Sequence, residues 1–215
     1  MGFLSSFQNA LVLNPHGDDA ELSAGGTIVN LINAGCEVRY VYFSLPKPAV
    51  EGRFTEDQIR NEIKKATEML GLKSQNVTLL DYPIRRFNQR RQEILDELIK
   101  ARNLINPDLV FCHSSYDVHQ DHKVIHEEAL RAFKSASILG YESHWNQILG
   151  QNNRVFVSIS EEVFNRKIQA LKEYRSQEGR DFFSETRQSA IMQYHGMQIR
   201  QKYSEVFECI RLVSK

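Results

Sequence analysis

The chain has 215 residues, 41% of them hydrophobic and 25% charged, a globular balance with enough length to bury a core. Lys plus Arg equals Asp plus Glu at 27 each, so net charge gives no general claim on nucleic acid or an anionic membrane. No apolar run approaches the roughly 20 residues that span a bilayer, and the opening MGFLSSFQNALVLNP lacks the basic-then-apolar order of a signal peptide. Cys36, Cys112 and Cys209 form no CxxC and read as reduced thiols, which predicts a cytoplasmic setting. The whole chain, 1–215, is read as one domain.

Ala10 to Asn14 is a short apolar run, a buried strand. After a turn, 24–34 reads as a helix with Ile28, Leu31 and Ile32 on one face, ended by Gly35. Val38 to Phe43 is a second strand, and Pro46 and Pro48 break the chain after it. Thr55 caps a helix running to Leu70, with Ile59, Ile63, Ala66 and Leu70 inward and Gly71 at its end. A strand at 77–80, a helix at 89–105 stopped by Asn106-Pro107, and a strand at 109–112 follow. A polar loop leads into a helix at 122–133; the stretch 138–150 is ambiguous between types. Then come a strand at 155–159, a helix at 161–174, a mostly helical stretch at 182–203 and a last strand at 206–213. This alternation predicts an α/β fold: a three-layer, Rossmann-like, mainly parallel sheet flanked by helices. In such folds ligands sit beyond the carboxyl ends of the strands, where strand order reverses, so the loops after the first and fourth strands are where chemistry is sought.

The first of these loops is Asn14-Pro15-His16-Gly17-Asp18-Asp19-Ala20-Glu21. Taken alone it also reads as a capped turn, with Asp18 or Asp19 capping the next helix and His16 exposed. The second loop, Tyr116-Asp117-Val118-His119-Gln120-Asp121-His122, shifts the balance, because four of its seven residues are His or Asp. Two such clusters at one sheet edge would meet and offer a His/Asp/His set suited to a catalytic zinc with one open position. The surplus fits hydrolysis. A carboxylate beside the ligands can act as base toward the attacking water, and a histidine opposite, held protonated by an adjacent Asp, can stabilise an oxyanion.

His16-Gly17-Asp18-Asp19, followed by Glu21 and Gly25-Gly26-Thr27-Ile28, resembles the His-Pro-Asp-Asp-Glu…Gly-Gly-Thr-Ile signature of the LmbE-like, or PIG-L, de-N-acetylases. His119-Gln120-Asp121-His122 resembles that family's His-Pro-Asp-His. Arg60 with Glu62, Leu70-Gly71, Pro107-Asp108, Tyr174-Arg175-Ser176-Gln177 and Tyr203-Ser204-Glu205-Val206-Phe207 extend the resemblance over nearly the whole chain. The resemblance implies that His16, Asp19 and His122 bind zinc, that Asp18 is the general base, and that His119 stabilises the oxyanion, oriented by Asp121. It also supplies what spacing leaves open, namely which of Asp18 and Asp19 is ligand and which base. The activity implied is removal of an N-acetyl group from an amino-sugar-containing small molecule, with Zn2+ or another divalent ion such as Fe2+ as cofactor. A homo-oligomer is compatible with it. Three positions depart from the pattern: Gly17 and Gln120 stand where the family has Pro, and Ala20 where it has Glu, with Glu21 next. None removes a ligand or the base; Gly17 is expected to loosen its loop.

Other residues carry two readings each. His126, four residues after His122, has ligand spacing but also suits packing. His113 at the end of the fourth strand reads as a lining residue, and His195 as peripheral. Arg85 and Arg86 are either a solvated pair or an anion clamp for the substrate. Arg53 is either a loop charge or a lid residue, and Trp145 either packs or stacks on a sugar ring. Gly25-Gly26 lacks GxGxxG or Walker spacing, which excludes a dinucleotide or P-loop site. Two rival functions stand beside the de-N-acetylase: a metal-dependent amidase acting on another conjugate, and a non-catalytic sugar-binding module.

Overall fold

A computed structural model describes residues 2–146 and 153–214. The elements, in order, are β1 (Asn9–Asn14), α1 (Asp19–Asn33), β2 (Glu37–Tyr42), α2 (Glu56–Leu70), β3 (Val77–Leu79), α3 (Arg91–Ile105), β4 (Leu109–His113), α4 (Gln120–Ala132), β5 (Ser137–Tyr141), β6 (Arg154–Ile159), α5 (Glu161–Lys172), α6 (Glu185–Gln198) and β7 (Tyr203–Arg211). The strands form one sheet in the order β3-β2-β1-β4-β5-β7-β6. The first five are parallel. β7 runs antiparallel between β5 and β6. This is the α/β three-layer arrangement expected from the sequence.

β1 lies at the centre of the five parallel strands and is apolar on both faces. Ala10 and Val12 join a cluster with Ile28, Ile63 and Phe164, from α1, α2 and α5. Leu11 and Leu13 join one with Ile94, Leu98, Ile125 and Phe133, on the side of α3 and α4. All four β1 side chains are fully buried. Burying a Leu or Val is worth about 1.5–3 kcal/mol, so truncating Leu11, Val12 or Leu13 removes core on one face or the other. Sequence order reverses at it: β2 pairs on one side and β4 on the other. The loops after β1 and β4 therefore open side by side at the carboxyl edge.

Local chemistry sets the helix ends. Thr55 Oγ1 accepts from the Gln58 amide while Gln58 Oε1 accepts from the Thr55 amide, a reciprocal cap. Gly71 ends α2 at φ 97°, the left-handed region that glycine enters without cost. Two expectations shift. α1 begins at Asp19 instead of residue 24, because the His16–Asp19 turn winds directly into it. Tyr203, read as the end of a helix, instead opens β7; α6 stops at Gln198, and Arg200 turns the chain at φ 56°. Of the ambiguous stretch, 137–141 is β5 and 147–150 lies outside the described residues.

Candidate metal centre

His16, Asp18 and Asp19 come from the loop after β1, and His119, Asp121 and His122 from the loop after β4 and the first turn of α4. They meet in one cleft of about 280 Å³, lined by His16, Asp18, Asp19, His119 and His122 together with Arg85, Trp145, Arg180 and Phe182. A larger cavity of about 590 Å³ near Tyr174 and Phe183 holds none of the His/Asp cluster. Chemistry, not volume, marks the site.

The capped-turn reading fails on geometry: Asp18 stands at the start of α1, yet its side chain caps no backbone amide. Asp19 Oδ2 instead accepts from the His16 amide at 2.9 Å, folding the loop back so that both side chains face inward.

Three Lewis bases converge. His16 Nδ1 lies 3.1 Å from His122 Nε2. Asp19 Oδ2 is 3.3 Å from the first and 3.6 Å from the second. The outer ring nitrogens fix the tautomers. His122 Nδ1 donates to Asp117 Oδ2 at 2.8 Å, and His16 Nε2 donates to Asp121 Oδ2 at 3.2 Å. With those nitrogens protonated, the inner nitrogens present lone pairs to each other and to a carboxylate. A cation between them resolves that arrangement, and a carboxylate behind each histidine is how metal-binding imidazoles are usually held. Without a metal a proton must serve. Burial alone would lower the His16 imidazole, but the Asp19 and Asp121 carboxylates outweigh it and raise it to about 10. Asp19 is pushed up by burial yet held well below the usual carboxylate range by His122, His113 and His16.

Asp18, 7% exposed, is different. Burial and then the charge of Asp19 raise it to about 7, the range in which a carboxylate exchanges protons near neutrality. Glu21 lies fully buried beneath the loop, where Tyr42 donates to it, and burial lifts it to about 8.

The Asp121 carboxylate is connected otherwise than the resemblance implied. It binds His16 and accepts the amides of Arg85 at 2.6 Å and Phe87 at 3.3 Å. What reaches the ring of His119 is the Asp121 amide, donating to Nδ1 at 3.2 Å. A neutral His119 then carries its proton on Nε2. Burial, with His122 and His16, lowers this ring to about 4, so it can donate while uncharged.

Of the four residues with a possible substrate reading from sequence, Arg85 and Trp145 line the cleft, and Arg53 and Arg86 do not. Arg53 stands over the Phe54 ring at 5.6 Å. Trp145 stacks on Phe182 with ring centroids 4.2 Å apart. His113 is fully buried and stacked on His122 at 3.5 Å. His126 Nδ1 meets the His113 carbonyl at 2.8 Å, a tie between α4 and β4. Asp117, against His122, and Arg180 and Phe182, in the cleft lining, stand at the site without having been singled out in the sequence. Asp117 was visible inside its motif. Arg180 and Phe182 follow the Tyr174–Gln177 segment at no recognisable spacing.

Gly17 does not loosen its loop. A Cβ there would collide with Pro46 and lie 2.8 Å from Ile63 Cδ1, so the position is filled from outside. Tyr174 donates to the Gly17 carbonyl and pins it.

Residues 11–133, more than half of the chain, match the family model described as PIG-L: GlcNAc-PI de-N-acetylase. The chain is 28% identical over 173 residues to the uncharacterized deacetylase YaiS of Escherichia coli (strain K12), covering 77% of this chain and 90% of that one. The fold superposes on N,N'-diacetylchitobiose deacetylase from Pyrococcus horikoshii with TM-score 0.74 and 24% identity, over 95% of this chain and 84% of that one. It also superposes on GalB, the 4-carboxy-2-hydroxymuconate hydratase of Pseudomonas putida KT2440, with TM-score 0.75 and 20% identity, over 97% and 99%. With the family model spanning both clustered loops, the chain belongs to the PIG-L (GlcNAc-PI de-N-acetylase) family.

Proposed function

We propose that this protein is a metal-dependent hydrolase that releases acetate from the N-acetyl group of an amino-sugar-containing small molecule. One observation carries the reading: the inner ring nitrogens of His16 and His122 face each other and Asp19, with Asp18 in the same cleft. His16, Asp19 and His122 would hold the metal, of the zinc class by donor type. Such an ion, when bound, polarises the amide carbonyl and acidifies water.

The chain's own residues do the rest. Asp18 takes a proton from the attacking water and returns it to the departing amine. His119 donates Nε2–H to the oxygen on which charge develops. Asp117 and Asp121 position His122 and His16. The Trp145–Phe182 stack offers an apolar face for a sugar ring. Arg180, whose charge opposes the rise in Asp18, and Arg85 suit an anionic group on the substrate. Free cysteines, two of them buried, fit a cytoplasmic setting. Among the described residues no helix is long and apolar enough to cross a membrane.

The test is acetate release from a panel of N-acetyl sugars, together with metal content. Asp18→Asn is expected to lower turnover by about 10²–10⁴ with metal retained. His119→Ala is expected to lower it by about 10²–10³. Full turnover in Asp18→Asn would remove Asp18 as base. Because a hydratase shares the fold, water addition to a conjugated acid is the control reaction; activity there without acetate release would replace the hydrolase reading.

A further inference from the structure

A second group of metal-type donors lies outside the cluster described above. The chain leaves β5 through Glu142-Ser143-His144, and the last turn of α6 brings His195 against it. One donor atom from each of Glu142, His144 and His195 lies within 4.8 Å of the other two. Glu142 Oε2 is 3.4 Å from His144 Nδ1, and the two imidazole rings are 5.5 Å apart. Glu142 is 9% exposed and His195 6%, with His144 half-buried, so the group is a recess and not a surface charge run. We propose that Glu142, His144 and His195 form a second divalent-metal site of zinc class, which ties the end of α6 to the end of β5.

Three considerations support a cation over simple packing. Two imidazoles and one carboxylate are a donor set zinc accepts, with a fourth position left for water. The donors come from two elements 51 residues apart, His144 to His195, so no local turn or cap explains their convergence. The nearby Lys167 does not oppose a cation there, because Glu205 neutralises it at 2.9 Å. Arg154, the other cation near His195, binds Gln198 Oε1 at 3.2 Å.

The position gives the site a consequence. Ser23 Oγ of α1 donates to the Glu142 carbonyl at 2.7 Å. The Asn146 amide donates to the Ser143 carbonyl, and the Asn146 carbonyl accepts from the Val118 amide in the loop after β4. Trp145, directly after His144, lines the catalytic cleft. Occupancy would therefore brace the aromatic wall of that cleft from behind.

The experiment is an equilibrium zinc titration of the intact protein against a chromophoric chelator, with bound zinc counted per chain. The wild type is expected to bind two zinc ions. His195→Ala and His144→Gln are each expected to bind one, with the far-ultraviolet circular dichroism of the wild type. His122→Ala is expected to bind one, held at the second site. A wild type that binds a single zinc, lost in His122→Ala, would overturn the proposal. So would a folded His144→Gln that still binds two; His144 is half-buried, so that variant tests the site even if His195→Ala does not fold. Loss of one zinc in His144→Gln, with no loss in His122→Ala, would support this site and count instead against the catalytic centre proposed above.

Discussion

At the scale of single residues, the site is defined by which nitrogen of each histidine is occupied. Asp117 holds Nδ1 of His122 and Asp121 holds Nε2 of His16, which turns the other two ring nitrogens toward each other. Asp117→Asn keeps the shape and removes the charge, and metal affinity is expected to fall about 10–100-fold in a chelator competition. Unchanged affinity would show that Asp117 only packs. The proton balance gives a second check. In the metal-free protein His16 is raised to about 10, so at neutral pH it carries a proton that the metal must displace. Binding is therefore expected to release about one proton per metal near pH 7, read by calorimetry in buffers of different ionisation enthalpy. Uptake, or no exchange, would mean that His16 is not a ligand.

At the scale of elements, the loop between β1 and α1 depends on a neighbour's side chain. Its Gly17 is not in the left-handed region, and what it needs is room, since Pro46 and Ile63 occupy the space beside it. Gly17→Pro restores the family residue, yet it is expected to destabilise by about 1–3 kcal/mol in urea unfolding, because two rings would compete for one volume. Adding Pro46→Gly should recover part of the loss. A Gly17→Pro chain as stable as the wild type would show that the loop after β2 yields easily. The Tyr174–Gln177 segment supports the same region: Glu62 of α2 accepts the Ser176 amide at 3.0 Å, and the Ser176 carbonyl accepts from Ala49 at 2.6 Å.

At the scale of the whole molecule, one buried ion pair joins three elements. Lys167 of α5 donates to Glu205 of β7 at 2.9 Å and to the Leu22 carbonyl of α1 at 2.7 Å. Glu205 also accepts the amides of Gly26 and Thr27 at 2.9 and 2.6 Å. Gly25 and Gly26 make this approach feasible. A Cβ on Gly25 would lie 3.2 Å from Lys167 Cγ, and one on Gly26 3.0 Å from Ile159 Cδ1. The glycine pair that suggested, and failed, a phosphate motif is there to admit an ion pair. Glu205→Ala leaves the Lys167 ammonium buried and alone and is expected to cost about 3–5 kcal/mol in urea unfolding. Lys167→Met in the same chain should return part of it. A cost below about 1 kcal/mol would mean that water reaches the lysine.

Local rules made much of this legible in the amino-acid order. Thr55 and Gly71 bound α2, the apolar run at 10–14 is the middle one of the parallel strands, and two His/Asp clusters after strands point to one sheet edge. These are properties of neighbours in the chain, set by caps, turns and burial period. Only the tertiary structure decided the rest. It sent the Asp121 carboxylate to His16 instead of His119, placed Pro46 against Gly17, brought Arg180 and Phe182 to the cleft, and set His195 beside Glu142 and His144. Each of these joins residues far apart in sequence or depends on the direction a side chain takes. Chain order constrains neither until the sheet order is fixed.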